Sequence, residues 1–264
     1  MPSWTSGSVE TNGIQMHYHR TGGERPPVVL SHGITDSGLC WTPVAQVLEK
    51  DYDVIMVDAR GHGRSTAPET GYGREDHAAD LAGLIEALGL EKPALLGHSM
   101  GAAIAAVVAA EYPHLVSRIV LEDPPWRLET RSAQERQAHM ENWQQEITDH
   151  QSRTDEELIA FVRQRSPGWS DAELGPWVEA KKLVCLNALT FVTADHLWRE
   201  SIPKISCPAL LITADPDLGA IVTAETTEYV SETNACFQVA RMSGAGHNIR
   251  REQFEPYVDV IMKF

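Results

Sequence analysis

Ala94-Leu95-Leu96-Gly97-His98-Ser99-Met100-Gly101-Ala102-Ala103-Ile104-Ala105-Ala106-Val107-Val108-Ala109-Ala110 reads as a strand, a turn and a helix in immediate succession. Three apolar residues lead into Gly-x-Ser-x-Gly, and an Ala- and Val-rich run follows it. The five-residue pattern alone is weak, because glycine and serine are common. Its placement makes it informative: glycines on both sides let strand and helix approach around a strained turn that pushes the Ser99 hydroxyl into the open.

Further short apolar runs lie on either side: Val28-Val29-Leu30-Ser31, Val54-Ile55-Met56-Val57-Asp58, Ile119-Val120-Leu121-Glu122-Asp123, Ala209-Leu210-Leu211-Ile212-Thr213 and Cys236 to Ala240. Continuous apolar strands suit a sheet covered on both faces. Helical patterns over His77 to Leu88, Met100 to Ala110 and Phe254 to Met262 alternate with them, which predicts an α/β domain with a mainly parallel sheet. Asn12-Gly13 inside an alternating stretch predicts a hairpin at the start. From about Pro124 to about Ser201 no buried strand is legible. That stretch has amphipathic helical segments and five of the seven tryptophans, the pattern of a lid. Ser166-Pro167-Gly168 and Gly175-Pro176 are expected to divide it into short helices, and Asp155-Glu156-Glu157 reads as a solvated helix start.

A serine nucleophile needs a base. Among eleven histidines, His247 alone sits in a small-residue loop, Gly244-Ala245-Gly246-His247-Asn248, between a last strand and a last helix. The developing oxyanion needs preorganised donors, and the backbone N–H groups of Ile34, after the His32-Gly33 turn, and of Met100, after the nucleophile, are the candidates. Gly33, His98 (as a packing residue beside the nucleophile) and Trp126 are the candidate lining of a substrate pocket. Asp36 reads as a loop carboxylate capping the Trp41 segment, and Arg60-Gly61-His62-Gly63-Arg64-Ser65 as a structural turn begun by Asp58.

With the serine motif, the His32-Gly33 turn, the Asp58 to Ser65 turn, the Gly-x-Gly-His loop and the Phe254 helix in order, the chain resembles the α/β-hydrolases from about residue 10 to its end. The resemblance implies an eight-stranded, mostly parallel sheet flanked by helices, with a helical cap inserted after the sixth strand. The core would then be 1–123 and 202–264, and the cap 124–201. It also implies a triad acid, for which two frames disagree. The usual place after the seventh strand gives Asp217. Aligning Ile221-Val222-Thr223 to the family's following run puts Gly219 there instead. Relatives that take the acid from the end of the sixth strand point to Asp123, which is favoured, with Asp217 left open. Either would hold the histidine tautomer and stabilise the imidazolium.

Composition narrows the partners. A formal net charge of −15 repels phosphate backbones, so neither nucleic acid nor an anionic membrane is expected. No apolar run is long enough to span a bilayer and the first residues do not read as a secretory signal. Four cysteines without a close pair argue against a zinc site or a disulfide framework, which suits a cytoplasmic protein. No metal or organic cofactor is implied. Lid and edge strands could both mediate a homodimer, and nothing compels one.

A serine at this position excludes the branches of the family that need a carboxylate nucleophile. The expected function is a serine hydrolase that cleaves carboxylic esters of small to medium apolar substrates through an acyl-enzyme. A lactonase is the alternative, followed by a carbon–carbon bond hydrolase or a perhydrolase on the same triad. A receptor-like hydrolase with little turnover is the reading from a different class.

Overall fold

The Asn12-Gly13 pair adopts positive φ at both residues (44° and 77°), so the chain reverses in two residues and pairs Thr11 with Ile14. The two arms are β1 (Thr5–Thr11) and β2 (Ile14–Arg20), the antiparallel edge of the sheet in the computed structural model, which describes residues 4–129, 131–193 and 198–264. Then come β3 (Pro27–Ser31), β4 (Asp53–Val57), β5 (Ala94–His98), β6 (Arg118–Glu122), β7 (Ala209–Thr213) and β8 (Phe237–Arg241). The eight strands form one sheet in the order β1-β2-β4-β3-β5-β6-β7-β8, and every pairing from β4 to β8 is parallel.

Alternate residues of the apolar runs serve two cores, as a doubly covered sheet requires. Val29, Ile55, Leu95, Ile119 and Leu211 face one side. Helices α2 (Arg74–Ala87), α3 (Met100–Glu111) and α9 (Ala224–Thr233) cover it. Leu30, Met56, Leu96, Val120 and Leu210 face the other, under α1 (Thr42–Leu48) and α11 (Phe254–Lys263). Helix α3 is buried from Met100 to Ala110, which explains why its sequence is apolar all round.

Between β6 and β7 the described residues are helical: α4 (Ala133–Ser152), α5 (Asp155–Arg165), α6 (Asp171–Leu183), α7 (Thr190–Thr193) and α8 (Trp198–Ser201). Ser132 with Glu135 and Thr154 with Glu157 form reciprocal capping boxes that start α4 and α5. Leu158, Val162, Leu174, Trp177 and Val178 make a small core within these helices. Ser166 to Gly168 separates α5 from α6 as expected, but Gly175-Pro176 lies inside α6 and does not divide it. The proline removes one backbone bond near the helix start, while Trp177, Val178, Ala180 and Lys181 beyond it are all buried and hold the helix together. The chain leaves the sheet at Trp126 and returns at Trp198, and those two indoles stack with centroids 5.2 Å apart and planes 11° apart. Trp198 Nε1 donates to Arg127 O and Arg199 Nη2 to Leu128 O, so the departing and returning segments are hydrogen-bonded to each other. A short helix, α10 (Ile249–Glu252), precedes α11. Among the described residues no helix is long and apolar enough to cross a membrane.

Candidate active site

Ser99 occupies the junction of β5 and α3 with φ 52° and ψ −114°, a strained conformation for a residue with a side chain. The flanking glycines are required by contact. A Cβ on Gly97 would lie 2.3 Å from Gly101 O, and one on Gly101 only 2.1 Å from Ser31 O. Ser99 N donates to Glu122 O and Gly101 N to His32 O, which ties the turn to the ends of β6 and β3.

His247, in the loop between β8 and α10, places Nδ1 2.6 Å from Asp123 Oδ2. Asp123 is fully buried, just beyond β6, at φ 40°. Its carboxylate also accepts from Ile221 N–H (2.8 and 3.0 Å) and Val222 N–H (2.9 Å). The loop after β7 therefore supplies N–H donors to the Asp123 carboxylate, and it is Asp123, not Asp217, that meets His247. Asp217 is exposed on the Pro216–Leu218 turn and away from the cavity lining. With Nδ1 facing the Asp123 carboxylate, the other ring nitrogen of His247, Nε2, has no hydrogen-bond partner among the described residues.

Ser99 and His247 line one cavity of about 490 Å³, within the usual range for a small-molecule site. Gly33, Ile34, His98 and Met100 line it too. Asp36 N–H bonds to Gly33 O and closes a turn around Ile34. Among the described residues nothing accepts from Ile34 N–H. Met100 N–H is the first of α3 and has no intrahelical acceptor. His98 Nε2 donates to His247 O (2.9 Å), which leaves Nδ1 a buried acceptor without a partner among the described residues. Burial, then the nearby Arg250 and His247 charges, hold its pKa well below the ordinary histidine value, so the ring is neutral.

The Arg60 to Ser65 stretch is a structural turn, as expected. Asp58 accepts from Gly38 N–H and Arg64 N–H, and His62 Nε2 lies 2.6 Å from Ile34 O. His17, His19 and Asp58 form the one grouping of metal-ligand type among the described residues. The Asp58 oxygens are already engaged by those two N–H groups and by His17 Nδ1, so the grouping fits a structural knot better than a cation.

Two expectations are corrected. Asp36 does not cap the Trp41 segment, whose N-cap is Ser37. Its carboxylate is buried against Lys181 (3.1 Å), Arg250 (3.2 Å) and Arg251 (3.0 Å). Burial works to raise its pKa, but Arg251, Lys181 and Arg250 together keep it well below the ordinary carboxylate value. Trp126 does not face the cavity. It packs in the core between Trp198 and Phe237, because the stack at the base of the cap takes up its ring faces. Trp143, Trp169, Trp177 and Trp198 provide the aromatic wall.

Sequence reasoning missed the charges. Six cationic side chains (Arg127, Arg131, Arg136, Arg165, Lys181 and Arg251) line the cavity against three acidic ones, in a chain of net charge −15. Arg127, Arg131, Arg136 and Arg165, all from the cap, have no ion-pair partner among the described residues. Burial and then Arg131 depress the Arg127 pKa, and burial followed by both arginines depresses that of His139. Four arginines without ion-pair partners among the described residues thus share the wall with Glu129 and Glu146. One signal was available for Lys181: it falls on the Leu174, Trp177, Val178 stripe of α6, an apolar face where a lysine needs a partner.

The N-formylmaleamate deformylase of Pseudomonas putida is 32% identical over 251 residues, which cover 92% of this chain and 90% of that protein. The 2-(acetamidomethylene)succinate hydrolase of Mesorhizobium japonicum is 41% identical over 113 residues, 43% of this chain and 41% of that protein. The solved N-formylmaleamic acid deformylase of Pseudomonas putida S16 superposes with a TM-score of 0.82 at 24% identity, over 97% of this chain and all of that one, a likeness of fold alone. The family model of the alpha/beta hydrolase fold matches residues 26–249. A match of that extent, with the full-length similarity to a deformylase, makes this chain a member of the α/β-hydrolase family and a hydrolase.

Proposed function

We propose that this hydrolase cleaves the C–N bond of a small N-acyl amide that carries a carboxylate, by acyl transfer to Ser99. The observation that carries this reading is the set of cap arginines without ion-pair partners among the described residues that line the same cavity as Ser99. A pocket for an apolar ester, the reading favoured by sequence, has no use for uncompensated guanidinium groups, whereas a carboxylate matches their fork of donors. The relatives agree in chemistry: a formylmaleamate and an acetamidomethylene-succinate each join an acylated nitrogen to an acid.

In this mechanism Ser99 Oγ attacks the acyl carbon as His247 Nε2 takes its proton, and Asp123 steadies the imidazolium. The tetrahedral oxyanion lies between Ile34 and Met100 N–H. His247 then protonates the departing nitrogen, the C–N bond breaks, and water repeats the sequence on the acyl-enzyme. The same steps would open an ester or a lactone, so substrate recognition by the cap, more than the triad, separates the readings.

Steady-state rates on matched N-acyl amides with and without a carboxylate, beside p-nitrophenyl esters and lactones, test this. The carboxylate-bearing amide should give the highest kcat/KM. Ser99→Ala should lose about 10⁴- to 10⁶-fold and Asp123→Asn about 10⁴-fold, with Asp217→Asn within about twofold of wild type. Preference for neutral esters or lactones would overturn the substrate class, and a single slow turnover leaving a stable adduct would favour the receptor-like reading.

A further inference from the structure

One ammonium of the cavity wall is turned away from the ligand space. Lys181, on α6, is almost fully buried, and its Nζ donates to Thr35 O (2.6 Å), Thr35 Oγ1 (2.8 Å) and Asp36 Oδ1 (3.1 Å). An ammonium has three hydrogens, and two consecutive residues of the Gly33 to Asp36 turn take all of them. None is left for a substrate carboxylate.

That turn carries Ile34, which lines the cavity and whose N–H has no acceptor among the described residues. From the core side it is held where His62 Nε2 meets Ile34 O (2.6 Å) and where His32, fixed by Ala59 N–H, places Nδ1 2.8 Å from Gly33 O. From the cap side it is held by Lys181. The other Asp36 oxygen accepts from Arg250 Nη2 and Arg251 Nη2, on the helix that begins two residues after His247. Arg251 Nε then returns to α6 through Glu173 Oε2 (3.1 Å). One cap helix thus grips, through buried charges, both loops that flank Ser99.

We propose that Lys181 is a positioning residue for the oxyanion turn, so that the Ile34 donor is aligned only when α6 is seated on the core. The inference rests on the serine acyl-transfer reading. Its signature is a loss of turnover at preserved binding, whereas loss of an anion-binding lysine would raise KM and loss of a mere anchor would lower stability.

Diethyl p-nitrophenyl phosphate is a probe that needs no knowledge of the substrate. Ser99 Oγ forms a bond to phosphorus, the P–O bond to p-nitrophenolate breaks, the serine proton passes to His247, and the phosphoryl oxygen takes the oxyanion position. The burst of p-nitrophenolate should be absent in Ser99→Ala and about 10²-fold slower in Lys181→Met, the scale of one misplaced oxyanion donor. The burst should approach saturation at a probe concentration within about threefold of wild type and melting should stay cooperative. Ethylammonium should restore at least tenfold of the rate lost in Lys181→Ala. Thr35→Val removes one acceptor and no charge, so it covers the case in which Lys181→Met fails to fold, and it should slow the burst three- to tenfold. A wild-type burst rate in either Lys181→Met or Thr35→Val, or a Lys181→Ala loss that ethylammonium leaves untouched, overturns the proposal. A burst that survives Ser99→Ala overturns the serine reading instead.

Discussion

Two sets of cations differ in one respect: in the first, Lys181 and Arg251 line the cavity and Arg250 shares their carboxylate, and in the second all four arginines line it. Lys181, Arg250 and Arg251 are buried against Asp36, Glu122 and Glu173, three positive charges with three carboxylates within 3.2 Å. Arg127, Arg131, Arg136 and Arg165 reach the cavity from the cap without such partners among the described residues. Burial is tolerable for a charge only when a partner and hydrogen bonds replace its water. The balanced set is therefore architecture, whereas the unbalanced set, with Arg127 and Arg165 exposed, keeps its water and is the one the proposed substrate carboxylate would meet. The same residue types do opposite work, and pairing alone tells them apart.

Breaking the balanced set should have the largest effect. Asp36→Asn leaves Lys181 without a carboxylate, while Arg250 and Arg251 keep only Glu122 and Glu173, and we expect a loss of about 3–5 kcal/mol of unfolding free energy at pH 7, read by denaturant melts. The pH dependence has a definite sign. Asp36 has a folded pKa well below its unfolded value near 3.8, so its contribution is fully present above about pH 4 and fades as pH falls through the folded value. The gap between wild type and Asp36→Asn should hold from pH 7 to 5 and narrow below 4; a gap that narrows between 7 and 5 would assign the effect to another group.

Removing the unbalanced set should leave stability alone and change binding. Arg127→Gln with Arg131→Gln should raise KM for a carboxylate-bearing substrate by about 10- to 100-fold, the worth of one or two charged hydrogen bonds, with less than threefold change for its methyl ester. Equal losses on acid and ester would erase the distinction between the sets. Ionic strength gives a milder version of the same contrast: 0.5 M salt should raise KM for the acid several-fold while Tm stays nearly constant, because the partly exposed arginines are screened and the buried network is not. The smallest effect is expected from Trp126→Phe. Its ring lies in the core, so KM should stay within about twofold while stability drops by about 1–2 kcal/mol from lost packing.

Much of this was legible in sequence because it is local. The Gly97 to Gly101 turn, the Asn12-Gly13 hairpin and the doubly apolar strands each state their conformation in a few residues. Ser99 and His247 are marked by small neighbours that only a close approach or a mobile loop requires. Asp123 against Asp217 was harder, since the choice depends on which loop of two adjacent strands offers N–H groups and which offers oxygens. Ile221 and Val222 donate to Asp123 with backbone atoms, which leave no trace in side-chain pattern. The charge pairing was illegible for a stronger reason: Asp36 and Arg251 are 215 positions apart, and neither neighbourhood reveals the other.

The stacked indoles at the base of the cap have a consequence for how such a protein can change. Residues 127 and 198 are 71 positions apart in sequence but hydrogen-bonded in space, so everything between them is a closed loop whose ends the core already holds together. The entropy of closing such a loop rises only with the logarithm of its length, about 0.6 kcal/mol per doubling. The core can therefore host a longer, shorter or differently charged excursion at little thermodynamic cost. New specificity can arise by rewriting one contiguous stretch of chain while Ser99, His247, Asp123 and the sheet that carries them stay untouched.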